Sequence, residues 1–178
     1  MPLITFYLDG NYGVIRQSLR GAKSMLMIRP AIERDLDMVL AIEQSAGTAA
    51  HWTEPQYKIA IVQPERLFFV AEEGGSILGF LIAFTGTPEW ELENLAVLAS
   101  ARKRGIGRTL MEALIRAAQQ ANASEIRQEI RASNHPAQAL GQKMRFVQQG
   151  RRRGYYREPD EDALLFKYLV QSGDKQGE

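Results

Sequence analysis

Hydrophobic positions along this chain switch repeatedly between a period of two and a period near 3.6, the signatures of strands and helices. Residues 27–31 read as a short first strand, with Pro30 suited to an edge or a strand end. Between 32 and 44, Leu36, Val39, Leu40 and Glu43 recur at helical spacing. Asp35 and Asp37 stand near the start of that run, where the helix dipole favours acids, and Gly47 stops it. Thr53 and Pro55 suit the N-cap and first turn of a second helix reaching about 62. Residues 67–72 and 77–85 form a hairpin around Glu73-Gly74-Gly75-Ser76. In its second strand Phe80, Ile82 and Phe84 alternate with Leu81 and Ala83, so both faces are apolar and the strand is central. A strand over 90–98, a helix over 105–122 and a strand over 125–132 follow. Along the last of these, Ile126, Gln128 and Ile130 face one way and Arg127, Glu129 and Arg131 the other. A helix capped by Asn134-His135-Pro136 runs through 144, and strands at 146–153 and 162–170 close the pattern, joined by a loop over 154–160. Alternating strand and helix units of this kind predict a mixed sheet covered on both faces.

Composition narrows the chemistry. At 178 residues and 45% hydrophobic, the chain is long enough for one self-sufficient core. No apolar run approaches the roughly 20 residues a membrane span needs. There is no cysteine, which removes disulfides, thiolate nucleophiles and thiolate metal sites. His51 and His135 are too few and too far apart for a metal cluster, so no metal is expected. A net charge of +1 offers no global case for nucleic acid or membrane binding. Basic character is local, at 102–104 and 151–153. Residues 1–24 are poor in acids and mildly resemble a targeting segment, but lack the apolar core and cleavage site of a secretory signal. The expectation is an extension of unknown role ahead of one domain over 25–170, with Met25 or Met27 as an alternative start, and a polar tail over 171–178. A cytoplasmic location is expected.

The chain is organised around residues 91–118. Leu92, Leu95, Ala96, Val97 and Leu98 make a strand; Arg102, Lys103, Arg104, Gly105 and Gly107 make a basic, glycine-broken turn; Ile106, Leu110, Met111, Leu114, Ile115 and Ala118 line one face of a helix. Free N–H groups at a helix start carry partial positive charge, and glycines let the backbone approach an anion, so this plan suits phosphates. The spacing fits neither GxGxxG, because Leu110 stands where the third glycine belongs, nor GxxxxGK[ST].

Arg102-Lys103-Arg104-Gly105-Ile106-Gly107 instead resembles the [RQ]xxGxG pyrophosphate loop of the GNAT superfamily of acetyl-CoA-dependent N-acyltransferases. Asn94-Leu95-Ala96-Val97 before the loop and Glu129-Ile130-Arg131-Ala132-Ser133-Asn134 after the helix resemble the adjoining strands, and the branch that acetylates the N-terminal alanine of a ribosomal protein is closer still. The resemblance covers roughly 27–169. It implies a mixed, mostly antiparallel sheet of about six to seven strands, with splayed central parallel strands and helices on both faces. It implies acetyl-CoA as co-substrate, held by Leu95, Ala96, Val97, Arg102, Lys103, Arg104, Gly105, Ile106, Gly107, Arg108, Thr109 and Asn134, with the pantetheine arm between the splayed strands. The acceptor it implies is a primary amine, first a protein N-terminus; a small-molecule amine is the runner-up.

Acetyl transfer to an amine needs a neutral nucleophile, a stabilised carbonyl oxygen and a protonated or tolerated thiolate, and placement alone contributes ~7–11 kcal/mol. Glu129 aligns with the general base of the ribosomal-protein-alanine enzymes and ranks first; Glu93 is second, and Glu91, on the same face by period-two geometry, borders the acceptor. Each is alternatively a solvated strand carboxylate. Trp52 aligns with an aromatic at the acceptor groove, or is a core plug. Tyr155 and Tyr156 align with tyrosines at the acceptor entrance, or pack a loop. Arg151-Arg152-Arg153 either steers an acidic partner or is a solvated strand face. One position departs from the pattern: Gly141 stands where the relatives carry the tyrosine that protonates the thiolate. The thiolate then leaves unassisted or through water, Tyr155 or Tyr156 substitutes, or the chain is a weakly catalytic acyl-CoA-binding sensor.

Overall fold

The computed structural model describes residues 4–7, 14–17, 25–46 and 52–171. In chain order the elements are β1 (Ile4–Tyr7), β2 (Val14–Gln17), β3 (Leu26–Pro30), α1 (Leu36–Ser45), α2 (Glu54–Val62), β4 (Arg66–Glu73), β5 (Ser76–Phe84), β6 (Glu89–Val97), α3 (Ile106–Gln120), β7 (Glu125–Arg131), α4 (His135–Lys143), β8 (Val147–Arg157) and β9 (Asp160–Leu169). They form one sheet in the order β1-β2-β3-β4-β5-β6-β7-β9-β8. Every neighbouring pair is antiparallel except β6 with β7.

The expected sheet of six to seven strands is present as the seven strands β3–β9, and two more extend it at the β3 edge, because Ile4–Tyr7 and Val14–Gln17 pair with each other and onto β3. Neither strand carries an alternation long enough to announce itself. Residues 154–160, expected as a loop, are mostly hairpin: Arg157 pairs with Asp160 and Tyr156 with Glu161, so Tyr155 and Tyr156 stand on β8. The expected helix stop at Gly47 and the tail from 172 lie outside the described residues.

Two cores sandwich the sheet. On one side α3 buries Ile106, Leu110, Met111 and Leu114 against Phe69, Leu81, Trp90, Leu92 and Ile126, with Leu140 of α4 packed alongside. Each such side chain contributes about 1.5–3 kcal/mol when fully buried. On the other side α1 and α2 bring Val39, Ile42 and Tyr57 onto Phe68, Val70, Phe80 and Ala96. Leu92 and Ala96 belong to opposite cores although strict alternation would put both on one face. The register explains this, since Asn94 pairs with Ile82 and Leu92 with Ala83, leaving Glu93 as an extra residue. A bulge of this kind bends and twists its strand.

Beneath the bulge lies a buried polar knot. Asn94 Nδ2 donates to Glu43 Oε2 and to the Tyr57 hydroxyl oxygen, each at 3.1 Å, and the backbone N–H of Trp52 donates to Glu43 Oε1 at 3.0 Å. Burial, with the Glu43 carboxylate beside it, holds the Tyr57 hydroxyl protonated far above its usual range. The knot ties the bulged strand to α1, α2 and the backbone of Trp52. Replacing Glu43 by alanine strands these buried donors, so Glu43→Ala is expected to cost about 3 kcal/mol. Urea unfolding reads this as a lower midpoint at unchanged slope.

Candidate functional site

The bulge opens the site. β6 and β7 pair only from Glu89↔Glu125 to Leu92↔Gln128. Beyond that point Glu93 to Val97 faces Glu129 to Arg131 across a gap, while β5 stays paired to β6 and β9 to β7. The backbone groups of the Leu95, Ala96, Val97 stretch that point away from β5, toward β7, therefore stand unpaired by any strand, ready for an extended, amide-bearing ligand. The wide end of the gap leads from Val97 to the start of α3. There the first intrahelical bond runs from the Thr109 N–H to the Gly105 carbonyl at 3.0 Å, leaving the earlier N–H groups free for an anion. Lys103 (φ 61°) and Gly105 (φ 88°) are both left-handed, which curls the turn into an anion-binding concavity. A phosphate cradle continuous with an unpaired strand edge fits the pyrophosphate and pantetheine of acetyl-CoA.

The expected cofactor residues divide by role. Arg102 Nε donates to the Val97 carbonyl at 3.2 Å and bridges strand to loop. Arg104 forks onto Glu73 at 2.7 and 2.8 Å, and Arg108 pairs with Glu112 at 2.8 Å, so both cations are engaged within the protein. Ile106 and Thr109 are buried and offer a ligand only their backbone. At Gly107 an added Cβ would lie 3.3 Å from Leu140, so this glycine admits α4 as well as a phosphate. Asn134 accepts from the Ala137 N–H at 3.2 Å and caps α4. Among the described residues no group of acids and histidines is placed to hold a metal, and no helix is long and apolar enough to cross a membrane.

On the α1–α2 side of the gap three carboxylates converge. Glu93 is forked by Arg66 at 2.7 and 2.9 Å, and Glu129 is met by Arg152 at 2.6 Å. Loss of solvation raises the Glu91 pKa, the Glu129 and Glu93 charges raise it further, and Arg152 and Arg127 offset part of this. Arg66 and Arg152, which hold two of the three acids, were not singled out in the sequence as partners. Their signal is tertiary, since Arg66 lies on β4 and Arg152 on β8.

Tyr155 hydrogen-bonds Glu129, and that bond, with partial burial and the Glu129 charge, raises its pKa. Its ring stands edge-on to Tyr156 at 5.1 Å and under Arg152 at 5.4 Å. Arg131 covers Tyr156 at 4.0 Å. Trp52 is half-buried, 5.6 Å from both the Tyr57 ring and the Arg66 guanidinium, so it joins the α1–α2 core and the Arg66–Glu93 pair at once. Gly141, the position at which the resemblance leads one to expect a tyrosine, is closely packed. A Cβ on Gly141 would lie 2.8 Å from Gln128 Nε2, a buried donor with no partner among the described residues. Leaving such a donor unpaired costs about 1–3 kcal/mol. Its sequence signal was a glutamine on the otherwise apolar face of Ile126 and Ile130.

Known proteins share this architecture. The family model described as Acetyltransferase (GNAT) family matches residues 36–146. The chain is 35% identical over 134 residues, 74% of its length and 88% of the relative's, to the ribosomal protein bS18-alanine N-acetyltransferase of Escherichia coli (strain K12). It is 32% identical over 156 residues to the N-alpha-acetyltransferase of Sulfurisphaera tokodaii, covering 78% of this chain and 89% of that one. The crystal structure of the ribosomal-protein-S18-alanine N-acetyltransferase from Escherichia coli superposes with a TM-score of 0.74 at 27% identity, over 86% of this chain and 99% of that one.

Gly105 holds its left-handed φ with open space where a Cβ would stand, so a substitution there acts through backbone strain of about 1–2 kcal/mol. Gly105→Val is expected to weaken acetyl-CoA binding about tenfold in calorimetry. An unchanged affinity would remove this turn from the phosphate site. The raised Glu91 pKa carries its own consequence for stability. A carboxyl whose folded pKa lies above its unfolded value destabilises the fold once pH rises through that window. Glu91→Gln is therefore expected to raise the melting temperature at neutral pH, with the gain vanishing below the ordinary glutamate range.

Proposed function

Because the chain belongs to the acetyltransferase (GNAT) family, we propose that it transfers the acetyl group of acetyl-CoA to the N-terminal α-amine of a protein, of the ribosomal-protein kind, in the cytoplasm. The observation that carries the acceptor class is the convergence of Glu91, Glu93 and Glu129 beside the gap, ringed by Trp52, Tyr155 and Tyr156. Such a cluster attracts an ammonium and gives its proton somewhere to go. Relatives named as acting on a ribosomal protein's alanine, and as N-alpha-acetyltransferases, support the same acceptor.

Amine basicity favours an α-amine over a side-chain amine. An α-ammonium has a pKa near 7.7–8.0 and a lysine ammonium near 10.4, so making the α-amine neutral costs about 3 kcal/mol less. Carboxylates, two of them already in ion pairs, are modest bases and suit the cheaper deprotonation. Glu129 accepts the amine proton directly or through one water. The half-exposed Arg152 and the Tyr155 hydroxyl orient its carboxylate, and an incoming ammonium displaces an exposed ion pair at little cost. Glu93, locked by Arg66, shapes the acceptor pocket and stands second as base. Glu91 supplies the unshared negative charge that draws the ammonium in. Backbone N–H groups of the unpaired β6 edge polarise the thioester carbonyl.

Purified protein with acetyl-CoA is expected to acetylate peptides with a free N-terminal alanine, and to spare α-blocked peptides carrying lysine. Glu129→Gln is expected to lower turnover by ~10²–10⁴-fold with acetyl-CoA affinity intact. Near-normal turnover in that variant, with the loss appearing in Glu93→Gln, would move the base to β6. Acetylation of polyamines in preference to every peptide would overturn the acceptor.

A further inference from the structure

Gln128 is the polar side chain at the gap that the reaction described above leaves unused. It sits on the face of β7 shared by the core residues Ile126 and Ile130, and it is 8% exposed. Its Nε2 is sealed from solvent and has no hydrogen-bond partner among the described residues. An apolar side chain would fill this space without stranding a donor. Two features of its position give the donor an object.

The first is the register. Leu92↔Gln128 is the last pair before β6 and β7 part, so Gln128 stands at the apex of the gap. Phosphates at the start of α3 lie at the opposite, Val97 end. An extended arm threaded between the strands therefore brings its thioester to the apex. The second is the facing. Gln128 points to the α3–α4 side, while Glu91, Glu93 and Glu129 gather on the α1–α2 side. An amine arriving over the carboxylates adds to one face of the thioester carbonyl, and the sulfur, which lies in the thioester plane at the apex, is open to a donor reaching in from the α3–α4 side. Gly141 completes the arrangement: a Cβ there would stand 2.8 Å from Nε2 and push the amide aside.

We propose that Gln128 is a catalytic residue of the acetyl transfer, its Nε2–H donating a hydrogen bond to the coenzyme A sulfur as it departs. The amine nitrogen forms its bond to the carbonyl carbon, the carbon–sulfur bond breaks, and the electron pair stays on sulfur. The nitrogen's proton passes to Glu129 or to water. The carboxamide gives up no proton; it stabilises the thiolate until solvent protonates it. A turn about the soft terminal torsion of the glutamine aims the donor from Gly141 toward the gap. The proposal rests on acetyl-CoA lying in the gap and is independent of which amine accepts.

Gln128→Met keeps the length and apolar bulk of the side chain and removes the donor. With coenzyme A bound and no acceptor present, the thiol is titrated by its thiolate absorbance. The wild-type complex is expected to ionise at lower pH than the Gln128→Met complex, by about tenfold in acid dissociation constant. The turnover number of Gln128→Met is expected to fall about 10²-fold, as for loss of one preorganised donor. Its acetyl-CoA affinity should stay within about threefold and its melting temperature equal or exceed the wild type's. Gln128→Leu, which also removes the donor and keeps an apolar side chain, should shift the thiol titration the same way and gives a second route if Gln128→Met folds poorly. Identical thiol titrations in wild type and both variants would overturn the proposal. So would a turnover loss that merely follows a fall in melting temperature. Because the titration uses no acceptor, its result stands apart from the α-amine reading.

Discussion

The structure depends on the incomplete pairing of two parallel strands. β6 is bonded to β5 from Glu91 to Val97, with the bulge at Glu93, and to β7 only from Glu89 as far as Leu92↔Gln128. Hydrogen-bond completeness would normally keep two adjacent central strands together, since each unpaired backbone group in a dry interior is costly. The extra residue at Glu93 bends β6 away, and the knot of Asn94, Glu43 and Tyr57 holds it in that bend. What remains is a wedge with unpaired donors and acceptors on one wall. That is a poor arrangement for an isolated sheet and a good one for an extended, amide-bearing co-substrate.

Charge is arranged around the wedge by the two faces of the sheet. Carboxylates from β6 and β7 share the α1–α2 face, where burial and the charges of Glu129 and Glu93 raise the proton affinity of Glu91 and the cluster draws a cation. Arginines from β4 and β8 prevent the three from simply repelling each other. On the α3–α4 face the wall is apolar apart from Gln128, and the helix start supplies the positive potential. In the proposed reaction the acceptor comes from the carboxylate face to a donor lying in the gap. Placement of that kind supplies much of the barrier reduction for an acyl transfer that needs no covalent enzyme intermediate.

Aromatic and guanidinium groups finish the acceptor side. Arg66 lies against Trp52 and Phe84 while forking Glu93, and Arg152 lies against Tyr155 while meeting Glu129. Stacked arginines lose less entropy when they bind a carboxylate, because the planar fork is already oriented. The base candidates are thereby held at fixed positions while the outer tyrosine remains exposed for an acceptor to touch.

The order of strands and helices from 26 to 169, the amphipathic face of α3, the glycine-broken basic turn and the acids of β6 and β7 were all legible in the sequence. They depend on local periodicity and on residue types that announce their conformations. The splay of β6 from β7 could be inferred only by family resemblance, because its cause is a single bulged residue that leaves no local pattern. The N-terminal strand pair escaped notice because short polar-mixed segments carry little periodicity. The hairpin reaching through Tyr155 and Tyr156 escaped because its register comes from β9. Partner choice was likewise beyond the sequence: that Arg66 takes Glu93, that Arg152 takes Glu129, and that Gly141 makes room for Gln128. Each of those pairings joins elements distant along the chain. Sequence dictates which side chains have charge, bulk or a donor to offer, but only the packed sheet determines which of them are within reach of one another.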